Sequence, residues 1–167
     1  EGRCDYTNEM RDICMINMYL YCRQKNVNFY MFNLEDTEFF TRYADGVPVY
    51  ADYKQLVNKY SVVHFDGPHT LEALDAEIAF FLERSDPGAV FVFDDVEMYE
   101  HDAVHNQLLE YGMEIAMETP RKWSYVKKEH VDKKWEPVVG TPGWEPNAEQ
   151  YTPKGGPSFN YKINLWK

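Results

Sequence analysis

The sequence predicts an α/β fold, in which a mostly parallel sheet has helices on both faces and ends in an antiparallel C-terminal pair of strands. Over residues 1–118, short apolar runs alternate with segments whose apolar residues recur every three or four positions, a pattern typical of crossover units. The run at 89–93 is apolar throughout, as expected for a strand covered on both faces. Residues 113–118 and 123–128 are strand-like and joined by a short turn, which predicts the antiparallel pair.

The amino-terminal part of the chain contains patterns of both kinds. Apolar residues from Met10 to Tyr21 follow helical spacing, and Asn26 ends this helix. The next segment is rich in Phe, Tyr and Val, which favour a strand, and Asp45-Gly46 is a turn signal. In chain order we predict a helix at 10–21, a strand at 27–34, a helix at 37–43, a strand at 47–51 and a helix at 53–60.

The central part of the chain has the clearest patterns. Leu71, Leu74 and Ile78 belong to the strongest helical stripe in the sequence, and a turn at 86–88 ends that helix. Gly112 stands where a further helix would end. We predict a strand at 61–65, a helix at 71–82, a strand at 89–93, a helix at 102–110 and strands at 113–118 and 123–128.

A change in composition divides the chain into a domain at 1–130 and an extension at 131–167. The extension holds five of the nine prolines, four of the nine glycines and three of the four tryptophans. Three tryptophans are too many for a flexible linker, so we expect it to wrap over the domain or to dock on a partner. A second copy of the chain is one such partner, and 161–166 is its predicted strand.

The charge balance excludes several classes of partner. Seventeen Lys and Arg stand against 28 Asp and Glu, a formal charge of −11, so a nucleic-acid backbone would be repelled. No apolar run approaches the ~20 residues of a membrane span. Cys4, Cys14 and Cys22 lack zinc-site spacing and are interpreted as free thiols. We therefore expect a cytoplasmic protein that acts on a small-molecule substrate, with no nucleic-acid or membrane partner.

Acidic residues follow several of the predicted strands. Asp66 follows one strand and Asp94-Asp95 the next, while Glu35 and Asp52 follow earlier ones. Ligands bind at the carboxyl ends of strands in an open parallel sheet, so these side chains should converge along one rim. Converging carboxylates repel one another unless a cation lies between them. Asp66, Asp94 and Asp95 are therefore candidate ligands of Mg²⁺, Mn²⁺ or Ca²⁺.

Other interpretations of these polar residues stay open. Acids at strand ends are also common helix N-caps, and for Asp36 and Asp52 capping competes evenly with function. His69 could bind a substrate or act as a base, or it could cap the following helix or pair with Asp66. His64, inside a strand, is interpreted as structural.

The stretch VVHFDGPHTLEALDAEIAFFLERSDPGAVFVFDDV, at 62–96, resembles class I S-adenosylmethionine (SAM) dependent methyltransferases of the macrocin and sugar O-methyltransferase type. That family has a strand ending in DGDHSYE, a helix with an internal Asp, a PGG turn and a strand ending in DD. The spacing agrees across the whole block. The resemblance covers about residues 1–128 and implies a Rossmann-like fold with SAM as cofactor.

The family resemblance also implies roles for individual residues. Asp66, Asp94 and Asp95 would coordinate a divalent metal such as Mg²⁺ that binds substrate hydroxyls, and Asp66 or His69 would remove a proton from the attacking oxygen. The segment at 1–8 resembles the edge of the glycine motif, and those at 29–35 and 47–52 resemble the strands that meet ribose and adenine. The implied SAM-binding residues are Gly2, Asn33, Glu35, Asp52 and Asp66.

Three hypotheses about function follow. The first is a SAM-dependent O-methyltransferase, with divalent-metal assistance, that acts on a small hydroxylated molecule. The second is a non-catalytic methyltransferase-fold binding or assembly module, which the single glycine, Gly2, in the SAM turn favours. The third is a nucleotide-sugar enzyme in which the acidic pair holds a metal-bound diphosphate.

Overall fold

The computed structural model describes residues 7–50, 53–67 and 69–139. The described residues divide into two compact units, the first ending at Glu35 and the second beginning at Asp36. A mixed α/β fold is confirmed. The described elements are α1 (Asn8–Gln24), α2 (Asp36–Arg42), β1 (Val47–Tyr50), β2 (Lys54–Val57), β3 (Val62–Phe65), α3 (Leu71–Glu83), β4 (Val90–Phe93), a 3₁₀ turn (Val96–Met98), α4 (His101–Glu110), β5 (Met113–Glu118) and β6 (Trp123–Lys127).

Helix α1 belongs to the first unit and is capped at both ends. The Thr7 hydroxyl accepts a 3.1 Å hydrogen bond from the Met10 N–H. At the other end Asn26 has a φ of 53°, a left-handed conformation that Asn tolerates, and the predicted end of the helix is confirmed. No described helix has the length and apolar content that a bilayer crossing requires.

The strand predicted at 27–34 is wrong. These residues form neither helix nor strand, and no described strand pairs with them. Phe, Tyr and Val favour an extended chain, but a strand also needs a neighbour to accept and donate its backbone hydrogen bonds.

The helix predicted at 53–60 is also wrong, because β2 pairs with β1 in a two-stranded antiparallel sheet. Val47 faces Val57, and Tyr50 faces Lys54. Leu56 and Val57 fit one face of a helix, yet both side chains are exposed, so no core covers such a face. Backbone pairing with β1 therefore decides the conformation. The predictions of α2 and β1 are confirmed.

The larger sheet has four strands in the order β3-β4-β6-β5. Strands β3 and β4 are parallel, whereas β6 is antiparallel to both β4 and β5. The predicted C-terminal antiparallel pair is confirmed. In the described part of the chain the sheet is mixed rather than mostly parallel, because the β5–β6 hairpin places its second strand beside β4.

The core lies between this sheet and the helices α3 and α4. The rings of Phe65 and Phe93, on neighbouring strands, stack with centroids 4.5 Å apart. Tyr125 of β6, Ile78 of α3 and Leu108 of α4 are fully buried in the same cluster. Burial of these side chains is the main favourable term that holds the two helices on the sheet.

Lys127, the last residue of β6, is buried although its side chain is ionisable. Its Nζ donates hydrogen bonds of 2.9 Å to the carbonyl of Leu82 and 2.7 Å to that of Ser85. Both carbonyls lie at the C-terminal end of α3, where a positive charge is favoured by the helix dipole. Burial nevertheless lowers the pKa of Lys127. This side chain fixes β6 to the end of α3.

Gly112 ends α4 at the predicted position. Its φ is 74°, and a Cβ there would lie 2.7 Å from Cγ and 3.1 Å from the carbonyl oxygen of Glu129. Glycine alone meets both requirements, because it has no Cβ and adopts positive φ without strain. The close approach holds the start of β5 against the chain beyond β6.

The beginning of the predicted extension is part of the second unit. Trp135 and Val138 are buried in the main core cluster, and the Trp135 indole lies 5.0 Å from the Tyr111 ring between centroids. Residues 140–167, including the strand predicted at 161–166, lie outside the described residues.

Candidate metal centre

The parallel register of β3 and β4 brings two predicted acidic positions to the same edge of the sheet. Phe65 faces Phe93, so the next residues, Asp66 and Asp94, follow neighbouring strand ends. The backbone N–H of Asp94 donates a 3.0 Å hydrogen bond to the Phe65 carbonyl, which continues the pairing by one step. This edge is the carboxyl end of both strands, where the sequence predicts a ligand site.

Two overlapping sets of metal-ligating side chains lie at this edge. One consists of His64, Asp66 and Asp94, and the other of Asp66, His69 and Asp95. Within each set, the ligand atoms lie within 4.8 Å of one another. Asp66 belongs to both sets. The structure thus brings together Asp66, Asp94 and Asp95, and adds His69 and His64 to them.

Asp95 has an unusual backbone conformation, with a φ of 47°. Asp is one of the few non-glycine residues that adopt the left-handed region at moderate cost. Its N–H donates a 3.0 Å hydrogen bond to Oδ1 of Asp94. The next residues form the 3₁₀ turn, in which Val96 is buried. The chain therefore turns sharply at the acidic pair, and both carboxylates stay near the sheet edge.

His69 offers a nitrogen whose hydrogen-bonding capacity is unused. Its Nε2 is buried and makes no hydrogen bond within the described residues. The nearest carboxylate oxygen of Asp95 is 3.9 Å away, which is too long for a hydrogen bond. The ring is stacked on Tyr99, with centroids 6.3 Å apart and planes at 14°. An unsatisfied imidazole nitrogen beside two carboxylates suits a divalent cation.

Two basic side chains that the sequence interpretation overlooked neutralise part of this charge. Lys122 Nζ lies 2.8 Å from Asp94 Oδ2, and Arg121 is ion-paired with both Asp95 and Glu97. Partial burial raises the pKa of Asp94, but the hydrogen bonds from Lys122 and the Asp95 N–H outweigh it, and the pKa lies below its usual range. Asp94 is therefore ionised at neutral pH.

A cavity of about 560 Å³ lies next to the acidic edge, between the 3₁₀ turn, the start of α4 and the β5–β6 turn. Tyr99, His101 and Trp123 are among its aromatic lining residues, and Glu118 is one of its acids. His101 is held through Nδ1 by the Tyr99 hydroxyl at 3.0 Å and through Nε2 by the Tyr125 hydroxyl at 2.9 Å. The lining of the cavity thus combines aromatic rings with several carboxylates.

The residues predicted to bind SAM are not brought together within one unit. Asn33 and Glu35 are exposed members of the first unit, in the segment where the predicted strand is absent, while Asp66 belongs to the second. Gly2 and Asp52 lie outside the described residues. The SAM site therefore stays a prediction.

The sequence signals of the missed residues were weak. Arg121 and Lys122 are two adjacent basic residues in a turn, and such residues usually lie free in solvent. Their contact with the acidic pair depends on the pairing of β6 with β4.

No protein-family model, curated protein or solved structure matches this chain.

Proposed function

We propose that the chain binds a divalent cation at Asp66, His69, Asp94 and Asp95, and that this site serves the O-methylation of a small hydroxylated substrate with SAM as methyl donor. One observation carries the proposal. Asp66, His69 and Asp95 offer ligand atoms within 4.8 Å of one another, and His69 Nε2, 3.9 Å from Asp95, is buried without a hydrogen bond within the described residues.

The donor set fits a hard or borderline divalent cation. Carboxylate oxygens are the ligands that Mg²⁺ and Mn²⁺ prefer, and a single imidazole nitrogen favours Mn²⁺ more than Ca²⁺. A cation held there would bind substrate hydroxyl oxygens and stabilise the negative charge that develops when one of them loses its proton. The partly exposed acidic edge leaves room for such oxygens.

The same geometry separates two roles that a histidine could have. A nitrogen that binds a cation has no lone pair left to accept a proton, so Nε2 of His69 cannot serve as ligand and base together. We assign His69 Nε2 to the cation and proton removal to Asp66, which is exposed and has two carboxylate oxygens. In this assignment Asp66 would both help to hold the cation and accept the proton of the substrate hydroxyl.

The methyl donor and the Rossmann-like fold are supported by the resemblance at 62–96 and by the parallel β3-α3-β4 unit followed by the antiparallel hairpin. The predicted SAM-binding residues belong to both units or lie outside the described residues. Binding of SAM is therefore an independent part of the proposal and has its own test.

The cation site is tested by calorimetric titration of the full chain with Mn²⁺. Asp66→Asn and Asp95→Asn should each weaken binding at least tenfold, about 1.4 kcal/mol. Asp86→Asn is the matched control, because Asp86 lies before β4, at the other end of the strand from Asp94, and pairs with Lys59. Equal affinities in all three variants would contradict the site.

SAM binding is tested by the same method, with and without saturating Mn²⁺. Micromolar binding, about −8 kcal/mol, supports the methyltransferase proposal. Cation binding without any SAM binding would contradict the methyltransferase proposal while leaving the cation site intact. Binding of a nucleoside diphosphate with Mn²⁺, but not of SAM, would instead favour the nucleotide-sugar enzyme.

A non-catalytic binding module is the second candidate, and one observation favours it. Asp94 and Asp95 already have cationic partners in Lys122 and Arg121, so the acidic edge is partly neutralised without a metal. In that case the second unit would use the acidic edge only to fix the β5–β6 turn. The cation titration separates the two candidates, since this module would bind Mn²⁺ weakly and without dependence on Asp66.

A further inference from the structure

The β5–β6 turn aims two positive side chains at the acidic pair. Lys122 Nζ lies 2.8 Å from Oδ2 of Asp94, and the Arg121 guanidinium donates to Oδ1 of Asp95. Oδ2 of Asp94 also lies 3.5 Å from His64 Nε2, so Lys122 occupies the Asp94 oxygen that faces a second candidate ligand. Arg121 binds Oδ1 of Asp95, whereas Oδ2 of the same carboxylate lies nearest His69 Nε2. Both candidate carboxylates are therefore already paired with a cationic side chain.

The backbone holds the turn in this position. Thr119 and Lys122 exchange three hydrogen bonds of 2.9 Å, two to the Lys122 carbonyl and one from its N–H to the Thr119 hydroxyl. The N–H of Val96, directly after the acidic pair, donates a 3.0 Å hydrogen bond to the Arg121 carbonyl. The backbone of the turn is thus attached to the segment that carries Asp95, and this attachment does not depend on the side chains of Arg121 and Lys122.

We propose that Arg121 and Lys122 are built-in competitors of the divalent cation, which occupy Asp95 and Asp94 until the cation displaces them. The inference rests on the proposed cation site. One divalent cation carries the same charge as the two side chains together, so their exchange leaves the net charge of the acidic edge unchanged. A monovalent cation cannot replace both, which makes the pair a device that selects for divalent ions.

The exposure of the pairs suits such an exchange. Arg121 is 52% and Lys122 is 37% exposed, so each pair is weak and its loss is partly compensated by water. After displacement, Arg121 keeps its 2.9 Å contact with Glu97, which lines the neighbouring cavity. The cation would therefore move the guanidinium from the acidic edge toward the mouth of that cavity.

The test compares Mn²⁺ affinity, at constant ionic strength, in the wild type, the double variant Arg121→Gln/Lys122→Gln and the double variant Arg42→Gln/Lys128→Gln. The second double variant removes the same two charges from exposed pairs with Glu38 and Glu114, outside the acidic edge. We expect about tenfold tighter binding in the first double variant, since two exposed pairs no longer compete, and little change in the second.

The relative affinities of the three proteins for Mn²⁺ decide whether Arg121 and Lys122 compete with the cation. Equal or weaker binding in the Arg121/Lys122 variant than in its control would overturn the competition while leaving the cation site intact. Tighter binding to the same extent in both variants would show a general effect of net charge and would also overturn it. Absence of binding in all three proteins would overturn the cation site and the competition with it.

Nuclear magnetic resonance of the Arg121 side chain tests the displacement directly, without a comparison of affinities. The Nε–Hε signal of Arg121 in a ¹⁵N-labelled chain should shift when Mg²⁺ is added to the wild type. In Asp66→Asn, which keeps both basic side chains and their partners, the shift should require at least tenfold more Mg²⁺. An Arg121 signal that stays constant while other residues of the acidic edge respond to Mg²⁺ would contradict displacement.

Discussion

The carboxylate of Asp75, buried in α3, accepts a 2.9 Å hydrogen bond from the indole Nε1 of Trp135, 60 residues further along the chain. The same carboxylate accepts hydrogen bonds from the N–H groups of Val138 at 2.9 Å and Val139 at 3.1 Å. Three donors from one segment converge on one buried charge. Asp75 therefore fixes the chain beyond β6 to the helix that follows the candidate metal centre.

Asp75→Asn should destabilise the second unit by about 3 kcal/mol. The amide removes the negative charge and turns one acceptor into a donor that faces an N–H, so at least one buried group loses its partner. Urea denaturation followed by circular dichroism measures the free energy of unfolding. Glu72→Gln, on the exposed side of the same helix, is the control, and a loss below about 1 kcal/mol for Asp75→Asn would contradict this account.

Glu77 should make the chain less stable as the pH rises from 4.5 to 8. Burial and a hydrogen bond with Asp36 raise its pKa to about 8, so the native state keeps a proton that the unfolded state loses near pH 4.5. Stability from this group is complete below pH 4.5 and falls by about 1.4 kcal/mol per pH unit through that window. Glu77→Gln should remove this slope, whereas the exposed control Glu72→Gln should keep it.

His101 should make the chain less stable as the pH falls from 6.5 to 3. Burial, with a contribution from the charge of His105, lowers its pKa to about 3. Between pH 6.5 and 3 the unfolded state binds a proton that the native state excludes, so stability falls by about 1.4 kcal/mol per unit as the pH drops. The slope in this window should decrease by one proton in His101→Gln. An unchanged slope, equal to that of the exposed control His130→Gln, would contradict a neutral buried His101.

The backbone of Asp95 allows a test that separates conformation from charge. Asp95→Ala and Asp95→Asn both remove the ion pair with Arg121. A φ of 47° costs more conformational free energy for Ala than for Asn. We expect Asp95→Ala to be less stable than Asp95→Asn by about 1 kcal/mol. Urea denaturation of the two variants measures the difference. Equal stabilities would mean that the turn relaxes when the side chain is shortened.

The sequence correctly predicted the elements whose apolar pattern matches the surface that they bury in the fold. Helix α3 has an apolar stripe that the core buries, and the strands on either side of it lie next to one another, so Asp66 and Asp94 could be expected at one edge. The segment at 27–34 was predicted from residue preference and the one at 53–60 from apolar spacing. The first has no partner among the described strands, and the second pairs with β1 instead of forming a helix.

The other contacts of the candidate site depend on long-range pairing. Arg121 and Lys122 reach the acidic pair because β6 lies beside β4, and the order of strands in a sheet is not encoded in the period of a single segment. The contact between Asp75 and Trp135 depends in the same way on where the chain goes after β6.

Strand β6 is the last described strand in the sequence, yet it lies inside the sheet, between β4 and β5. During synthesis, β4 therefore leaves the ribosome well before the strand that will cover its second edge. Until residue 127 has emerged, the growing chain carries an apolar strand with an open edge, a species prone to aggregation and a typical client of chaperones. The yield of folded protein should consequently depend on how quickly translation proceeds from β4 to β6.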